Sequence, residues 1–238
     1  MNELAQRCVA AALGVTDEFE VLIVDDASTD ATAATLEALS ADPALASHLR
    51  LLRLPTNGGQ YAATLAGLRA ARGRIVVVLD GDLQDPPEVI PELLGALDAC
   101  PEAAVAYAVK SSRADPAWVR LGSVLLRVLQ RLLAAVDTVP GSGSYCALRS
   151  SVVRDVLARP VAHANLAAVV ATVAAPHVLV PYAKQARAHG QSRVGPLGLL
   201  REAWGSLAVT GALRRLAWAA TAVLAIAASA AAAWMASG

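Results

Sequence analysis

The sequence predicts an α/β protein: a doubly wound, mostly parallel sheet with helices on both faces. Short apolar runs at residues 20–24, 49–54, 75–79 and 103–109 read as strands. Helical patterns at 60–71 and 88–99 separate the last three of them, the βαβαβ alternation of a doubly wound sheet. The run at 75–79 is continuous and β-branched, as expected of a strand buried on both faces.

Taken in order, residues 2–13 read as a helix with Leu4, Cys8, Val9 and Ala12 on one side. The strand at 20–24 runs into Asp25-Asp26-Ala27-Ser28-Thr29-Asp30, where Ser28, Thr29 and Asp30 are all suitable N-caps for a helix over 31–39. The strand at 49–54 closes on Pro55-Thr56-Asn57-Gly58-Gly59. A helix over 60–71 follows, with Gly73 a candidate C-cap. The strand at 75–79 ends in Asp80-Gly81-Asp82, with Gln84 and Asp85 close behind. Pro86-Pro87 stops the loop, and Pro87 suits the first position of a helix over 88–99.

Beyond Lys110 the pattern changes. A helix is expected over 118–136, with Arg120, Arg127 and Arg131 roughly on one face. That stripe reads either as a solvated face or as one turned to anions or a membrane. A Gly-Ser turn at 141–144 precedes a short strand at 145–148. Helices at 151–158 and 165–174 follow, then a strand at 177–182, a polar loop around His189 and an amphipathic helix over 197–212. Residues 216–237 carry no charged side chain. As a helix they would extend about 33 Å, against a hydrocarbon core of roughly 30 Å. Arg214 and Arg215 stand just before this run, and Trp218 and Trp234 lie near its ends. The expectation is one transmembrane helix with the preceding domain on the cytoplasmic side; an alanine-rich core helix is the competing reading.

Composition narrows the function classes. The 20 basic and 20 acidic residues cancel, so no global field argues for nucleic acid as a partner. Mean hydropathy of +0.49 is high for a wholly soluble domain. Cys8, Cys100 and Cys146 are odd in number and lack C-x-x-C spacing, which fits reduced thiols rather than a disulfide framework or a zinc site. The segment Met1–Arg7 has no apolar core of the kind a signal peptide needs.

The candidate chemistry lies at the C-terminal ends of the strands, where open α/β sheets bind ligands. Asp80, Asp82 and Gln84 offer two carboxylates and an amide oxygen, a hard-oxygen set suited to Mg²⁺ or Mn²⁺ bridging to nucleotide phosphates. A solvated acidic turn is the competing reading of the D-x-D element alone.

Three segments together are more specific. VLIVDDASTD at 21–30, NGGQYAATLAGLRAARG at 57–73 and VVVLDGDLQDPPEVIPEL at 76–93 resemble the family-two, inverting GT-A glycosyltransferases. The DLQDPPE wording resembles the branch that transfers a sugar to a polyprenyl phosphate, which includes dolichyl- and undecaprenyl-phosphate glycosyltransferases. The resemblance spans roughly residues 2–215. It implies a GT-A domain at 1–195, an interfacial helix at 196–215 and a transmembrane helix at 216–238, in a single-pass protein of the cell membrane. It implies a UDP- or GDP-linked sugar donor, a polyprenyl phosphate acceptor and Mg²⁺ or Mn²⁺ as cofactor. A homo-oligomer is compatible with it.

Residue by residue, the resemblance makes Asp80, Asp82 and Gln84 the metal and diphosphate site and puts Asp25 and Asp26 at the base and ribose. Ser112-Arg113 resembles a G-S-R segment near the acceptor phosphate. Ser192-Arg193-Val194 resembles S-K-Y with a cation retained at Arg193. Asp137 resembles the acid before a G-F-R segment, here Gly143-Ser144-Tyr145-Cys146 without the arginine. Asp82, Asp137 and Arg113 are thereby the expected catalytic residues. The family's first strand ends in P-x-Y-N-E, of which Asn2-Glu3 is present. A strand ahead of it, between those at 20–24 and 75–79, is expected to be absent from the sequence as given. Two other readings remain: a non-catalytic membrane-bound homologue, and a receiver-like signalling domain suggested by VLIVDD.

Overall fold

A computed structural model of the chain describes residues 1–29, 35, 39, 41–42, 45–111, 124–125, 128, 131–132, 136, 138–159, 165–185, 204–205, 207, 211, 215 and 221. Helix α1 (Asn2–Leu13) leads into β1 (Val21–Asp25), β2 (Leu49–Arg53), α2 (Gln60–Ala70) and β3 (Ile75–Val78). A 3₁₀ turn over Pro87–Val89 opens α3 (Ile90–Ala99). Then come β4 (Val105–Lys110), β5 (Ser142–Arg149), α4 (Ser150–Leu157), α5 (Leu166–Val173) and β6 (His177–Tyr182).

The elements agree with expectation to within a few residues, but the sheet differs. Strands β1 and β2 pair in parallel as a two-stranded sheet. The other four run in the order β3-β5-β4-β6. Strand β5 is antiparallel to both β3 and β4, while β4 and β6 are parallel. Strands β3, β4 and β6 thus run the same way, as the mostly parallel expectation has it, and β5 alone is reversed, because an apolar run shows that a strand exists but not which way it points. The expected turn at 141–144 is absorbed into β5, whose Ser142 already pairs with Val109. Among the described residues the free sides of β1 and β3, where the family's first strand would lie, carry no ladder partner.

Alternation along the strands builds the core. Val105 and Tyr107 of β4, with Cys146 and Leu148 of β5, face α4 and α5 through Val152, Val156, Leu166 and Val169. Ala106 and Ala108, with Tyr145 and Ala147, face α3 through Leu93 and Leu97. Each such buried aliphatic side chain contributes about 1.5–3 kcal/mol. Helix α1 buries Leu4, Ala5, Cys8 and Val9, with Ala5 in place of the expected Ala12. Leu4 and Cys8 pack with Leu83 and reach both Val21 of β1 and Leu79 beyond β3.

One end signal acts differently from expectation. Helix α2 stops with Ala71 already extended, so Gly73 is not its cap. A Cβ on Gly73 would instead lie 2.7 Å from the Ile75 carbonyl oxygen, a closeness only glycine allows. The three cysteines are free, as expected, with Cys8 and Cys146 buried.

The expected helices over 31–39, 118–136, 197–212 and 216–237 lie largely outside the described residues. Positions 124, 125, 128, 131 and 132 are helical and exposed. No helix among the described residues is long and apolar enough to cross a membrane.

Candidate functional site

Two acidic loops leave the C-terminal ends of β1 and β3, and each is held by residues distant in sequence. Asp25, the last residue of β1, is buried. Its Oδ1 accepts from the Ser28 N–H at 3.0 Å. Its Oδ2 makes no hydrogen bond among the described residues, with the half-exposed Arg53 guanidinium 3.4 Å away. Asp26 Oδ1 and Oδ2 accept from the N–H groups of Gly58 and Gly59, each at 2.8 Å, and Asn57 Nδ2 donates to the Asp26 carbonyl at 3.1 Å. The first acid loop thus caps α2 from outside, supplying an anion where the helix N-terminus leaves N–H groups unpaired. Glycine is required here twice: Gly59 has φ +84, and a Cβ on Gly58 would lie 2.7 Å from Ala62 Cβ.

Asp80 follows β3. Gln60 Nε2, at the start of α2, donates to its Oδ1 at 2.7 Å, and Ser144 Oγ of β5 donates to the same oxygen at 2.8 Å. The antiparallel register explains Ser144: Val78 faces Cys146, so two residues further along each strand bring Asp80 beside Ser144. Burial pushes the Asp80 carboxyl above its ordinary pKa. Ser144 and Lys184 pull it back, and the neighbouring charges of Asp85 and Asp82 push it further up. An ionised Asp80 is therefore held at a cost that a nearby cation relieves.

Asp82 Oδ1 accepts from the Gln84 N–H at 3.1 Å, folding the loop into an Asx turn. Between them Leu83 takes a left-handed conformation, φ 61, which costs a non-glycine residue about 1–2 kcal/mol. Its side chain is buried against Leu4 and Cys8, and that packing holds the strained turn. The far side of the loop is tied down by Tyr182 Oη donating to Asp85 Oδ1 at 2.5 Å and Tyr145 Oη donating to the Pro86 carbonyl at 2.8 Å. The Gln185 N–H donates to the Gln84 carbonyl at 2.9 Å. Arg7 of α1 holds Glu88 through two bonds of 2.7 Å and reaches Glu3 at 3.1 Å.

Among the described residues no group of three or more His, Cys, Asp or Glu side chains could hold a metal ion. Asp80, Asp82 and Gln84 form a set of two carboxylates and one amide, which fits a hard cation completed by substrate oxygens. Asp80 is half-buried, and the neighbouring charges of Asp85 and Asp82 push its carboxyl further up, a repulsion that a cation would relieve.

Of the residues singled out from sequence, Asp25, Asp26, Asp80, Asp82 and Gln84 are described, on the two loops. Arg113, Asp137 and Arg193 lie outside the described residues. Tyr61 of α2 packs against the core, with its hydroxyl buried and without a hydrogen bond among the described residues. Sequence reasoning missed Gln60, Ser144, Tyr182 and Arg7. Gln60 carried a local signal, following Asn57-Gly58-Gly59 directly; the other three are visible only through register and packing.

Comparison with known proteins follows the same lines. A family profile described as Glycosyl transferase family 2 matches residues 2–157. Undecaprenyl-phosphate 4-deoxy-4-formamido-L-arabinose transferase of Pseudomonas savastanoi pv. phaseolicola is 33% identical over 203 residues, covering 84% of this chain and 58% of that protein. The transferase of the same name from Edwardsiella ictaluri is 29% identical over 84% of this chain and 60% of its own length. The chain thus spans somewhat under two thirds of these relatives. Among solved structures, glucosyl-3-phosphoglycerate synthase of Mycobacterium tuberculosis with Mn²⁺, UDP and phosphoglyceric acid superposes with a TM-score of 0.58 at 19% identity. That match covers 88% of this chain and 75% of the other. The mannosyltransferase of Pyrobaculum calidifontis with GDP-Man and Mn²⁺ gives 0.50 at 20% identity, over 97% and 77%. Likeness at these identities is a likeness of fold.

Proposed function

The chain belongs to glycosyl transferase family 2 and has a GT-A-like α/β fold, and from that premise we propose that it transfers a sugar, with inversion, from a nucleotide-sugar donor to a polyprenyl phosphate. The observation that carries this reading is the Asp80–Gln84 loop, with Asp80 pinned by Gln60 and Ser144. The names of the relatives support the acceptor class.

On this reading Asp80, Asp82 and Gln84 hold Mg²⁺ or Mn²⁺ against the donor diphosphate. The cation supplies charge neutralisation to the departing nucleotide. Gln60 and Ser144 keep Asp80 Oδ1 occupied and aim the rest of the carboxylate at the ligand. Asp25 lines the nucleoside side, and Asp26 shapes it by fixing the turn at 57–59. The acceptor phosphate is itself anionic at neutral pH, so an in-line attack asks little of a general base. Arg113 and Arg193 are proposed to hold that phosphate and Asp137 to orient it. Residues 216–238 are proposed to span the membrane, with the catalytic domain cytoplasmic.

The test is a screen of radiolabelled nucleotide sugars with membranes containing the protein, followed by lipid extraction. Label entering the lipid phase only with added divalent cation supports the reading. No transfer from any UDP- or GDP-linked sugar would overturn it.

A further inference from the structure

Asp85 is the most buried acid on the second loop and is not among the expected ligands. Its carboxylate and the Tyr182 side chain are each about 95% buried, and they meet at 2.5 Å. Tyr182 is the last residue of β6 and is itself firmly placed. Its carbonyl accepts from both the backbone N–H and the hydroxyl of Ser111, at 2.9 and 3.0 Å. Its ring stacks edge-to-face on Tyr145, centroids 5.6 Å apart, and the Tyr145 hydroxyl bonds to the Pro86 carbonyl. Three residues after Tyr182, the Gln185 N–H reaches the Gln84 carbonyl. The loop from Gln84 to Pro86 is therefore gripped at three successive residues, each time from β5, β6 or the chain just after β6.

We propose that Tyr182 and Asp85 form a positioning pair that fixes the Gln84 end of the loop, so that the Gln84 amide stands where a cation shared with Asp80 and Asp82 needs it. The inference rests on the metal reading above and deepens it. Neither residue touches the cation or the donor. Tyr182 acts through Asp85, and Asp85 through the backbone of Gln84. The strained Leu83 gives the loop a reason to need such an anchor: a left-handed residue beside the ligands relaxes unless both ends of the turn are fixed. Leu83 packing anchors one end, and the Tyr182–Asp85 bond anchors the other.

Removing only the hydroxyl, as Tyr182→Phe, is expected to weaken Mn²⁺ binding about tenfold, the usual effect of losing a partner behind a metal ligand. Asp85→Asn keeps an acceptor oxygen for Tyr182 and is expected to stay within about threefold of the unmodified protein. Val169→Ala, a core truncation away from the loop, controls for a general loss of stability. Binding is read by Mn²⁺ electron paramagnetic resonance on the full chain, alone and with UDP or GDP, beside a thermal melt of each variant. A tenfold loss in Tyr182→Phe, near-normal Asp85→Asn and unchanged affinity in Val169→Ala support the pair. Tyr182→Phe binding Mn²⁺ as tightly as the unmodified protein overturns the pair alone, as does a loss matched by Val169→Ala. Absence of Mn²⁺ binding in the unmodified protein, with and without nucleotide, overturns the metal reading and the pair with it.

Discussion

Ser144→Ala removes one of the two donors to Asp80 Oδ1 and leaves Gln60 in place. A hydrogen bond to a charged group contributes about 1.5–3 kcal/mol. At roughly 1.4 kcal/mol per factor of ten, its loss shifts the Asp80 ionisation equilibrium by about tenfold or more. The sign follows from the geometry. Ser144 donates to the carboxylate and so favours the charged form, opposing the burial that pushes the Asp80 pKa up. Without it the pKa rises further, and the acid limb of the pH profile moves to higher pH. The assay is kcat/KM for the nucleotide sugar across about pH 4.5 to 8.5, at a fixed, subsaturating divalent cation, where proton and cation compete for Asp80, and with the pH range fixed by ordinary carboxylate chemistry. Below the limb the variant is expected about tenfold or more under the unmodified protein, and the two converge above it. A drop that is the same at every pH would refute the reasoning, since Ser144 would then act by packing and not through the charge on Asp80. A limb moved to lower pH would refute it outright.

Four further outcomes are expected. Asp82→Ala abolishes divalent-dependent donor binding while the circular dichroism melt stays cooperative; unchanged binding with the same metal dependence would remove Asp82 from the ligand set. Arg7→Met loses the bidentate pair that holds the Glu88 pKa down. A depressed acid adds stability above its unfolded pKa and loses it as pH falls through the folded one. The variant should therefore melt lower near neutral pH, by no more than about 1 kcal/mol for so exposed a pair, with the difference vanishing in acid. Gly58→Ala forces the 2.7 Å contact with Ala62 and disturbs both bonds to Asp26, so chemical denaturation should show a loss of about 1–3 kcal/mol. A chain cut before Leu216 should leave the membrane fraction on ultracentrifugation, and pelleting as before would point to residues 197–212 as the anchor.

What was legible in the sequence is what short-range chemistry dictates. The apolar runs marked β1, β2, β3, β4, β6 and the second half of β5, because burial on a pleated surface selects β-branched and apolar side chains locally. The helix over 2–13 showed its stripe, and Asp-Gly-Asp with two prolines marked a loop at a strand's end. The acids Asp25, Asp26, Asp80 and Asp82 stood out because they follow such runs directly. Tertiary structure decided the rest. It turned β5 against its neighbours, and only that direction puts Ser144 on Asp80 across a separation of 64 residues. It brought Tyr182 to Asp85 across 97 residues and Arg7 to Glu88 across 81. It also showed Asp26 serving the backbone of Gly58 and Gly59. Serine, tyrosine and arginine are ordinary in a strand or a helix, so nothing in their neighbourhood distinguishes them. Strand order and direction are set by how whole apolar faces cover one another, a sum over contacts far apart in the chain, and the residues that steady the acids inherit their places from that sum.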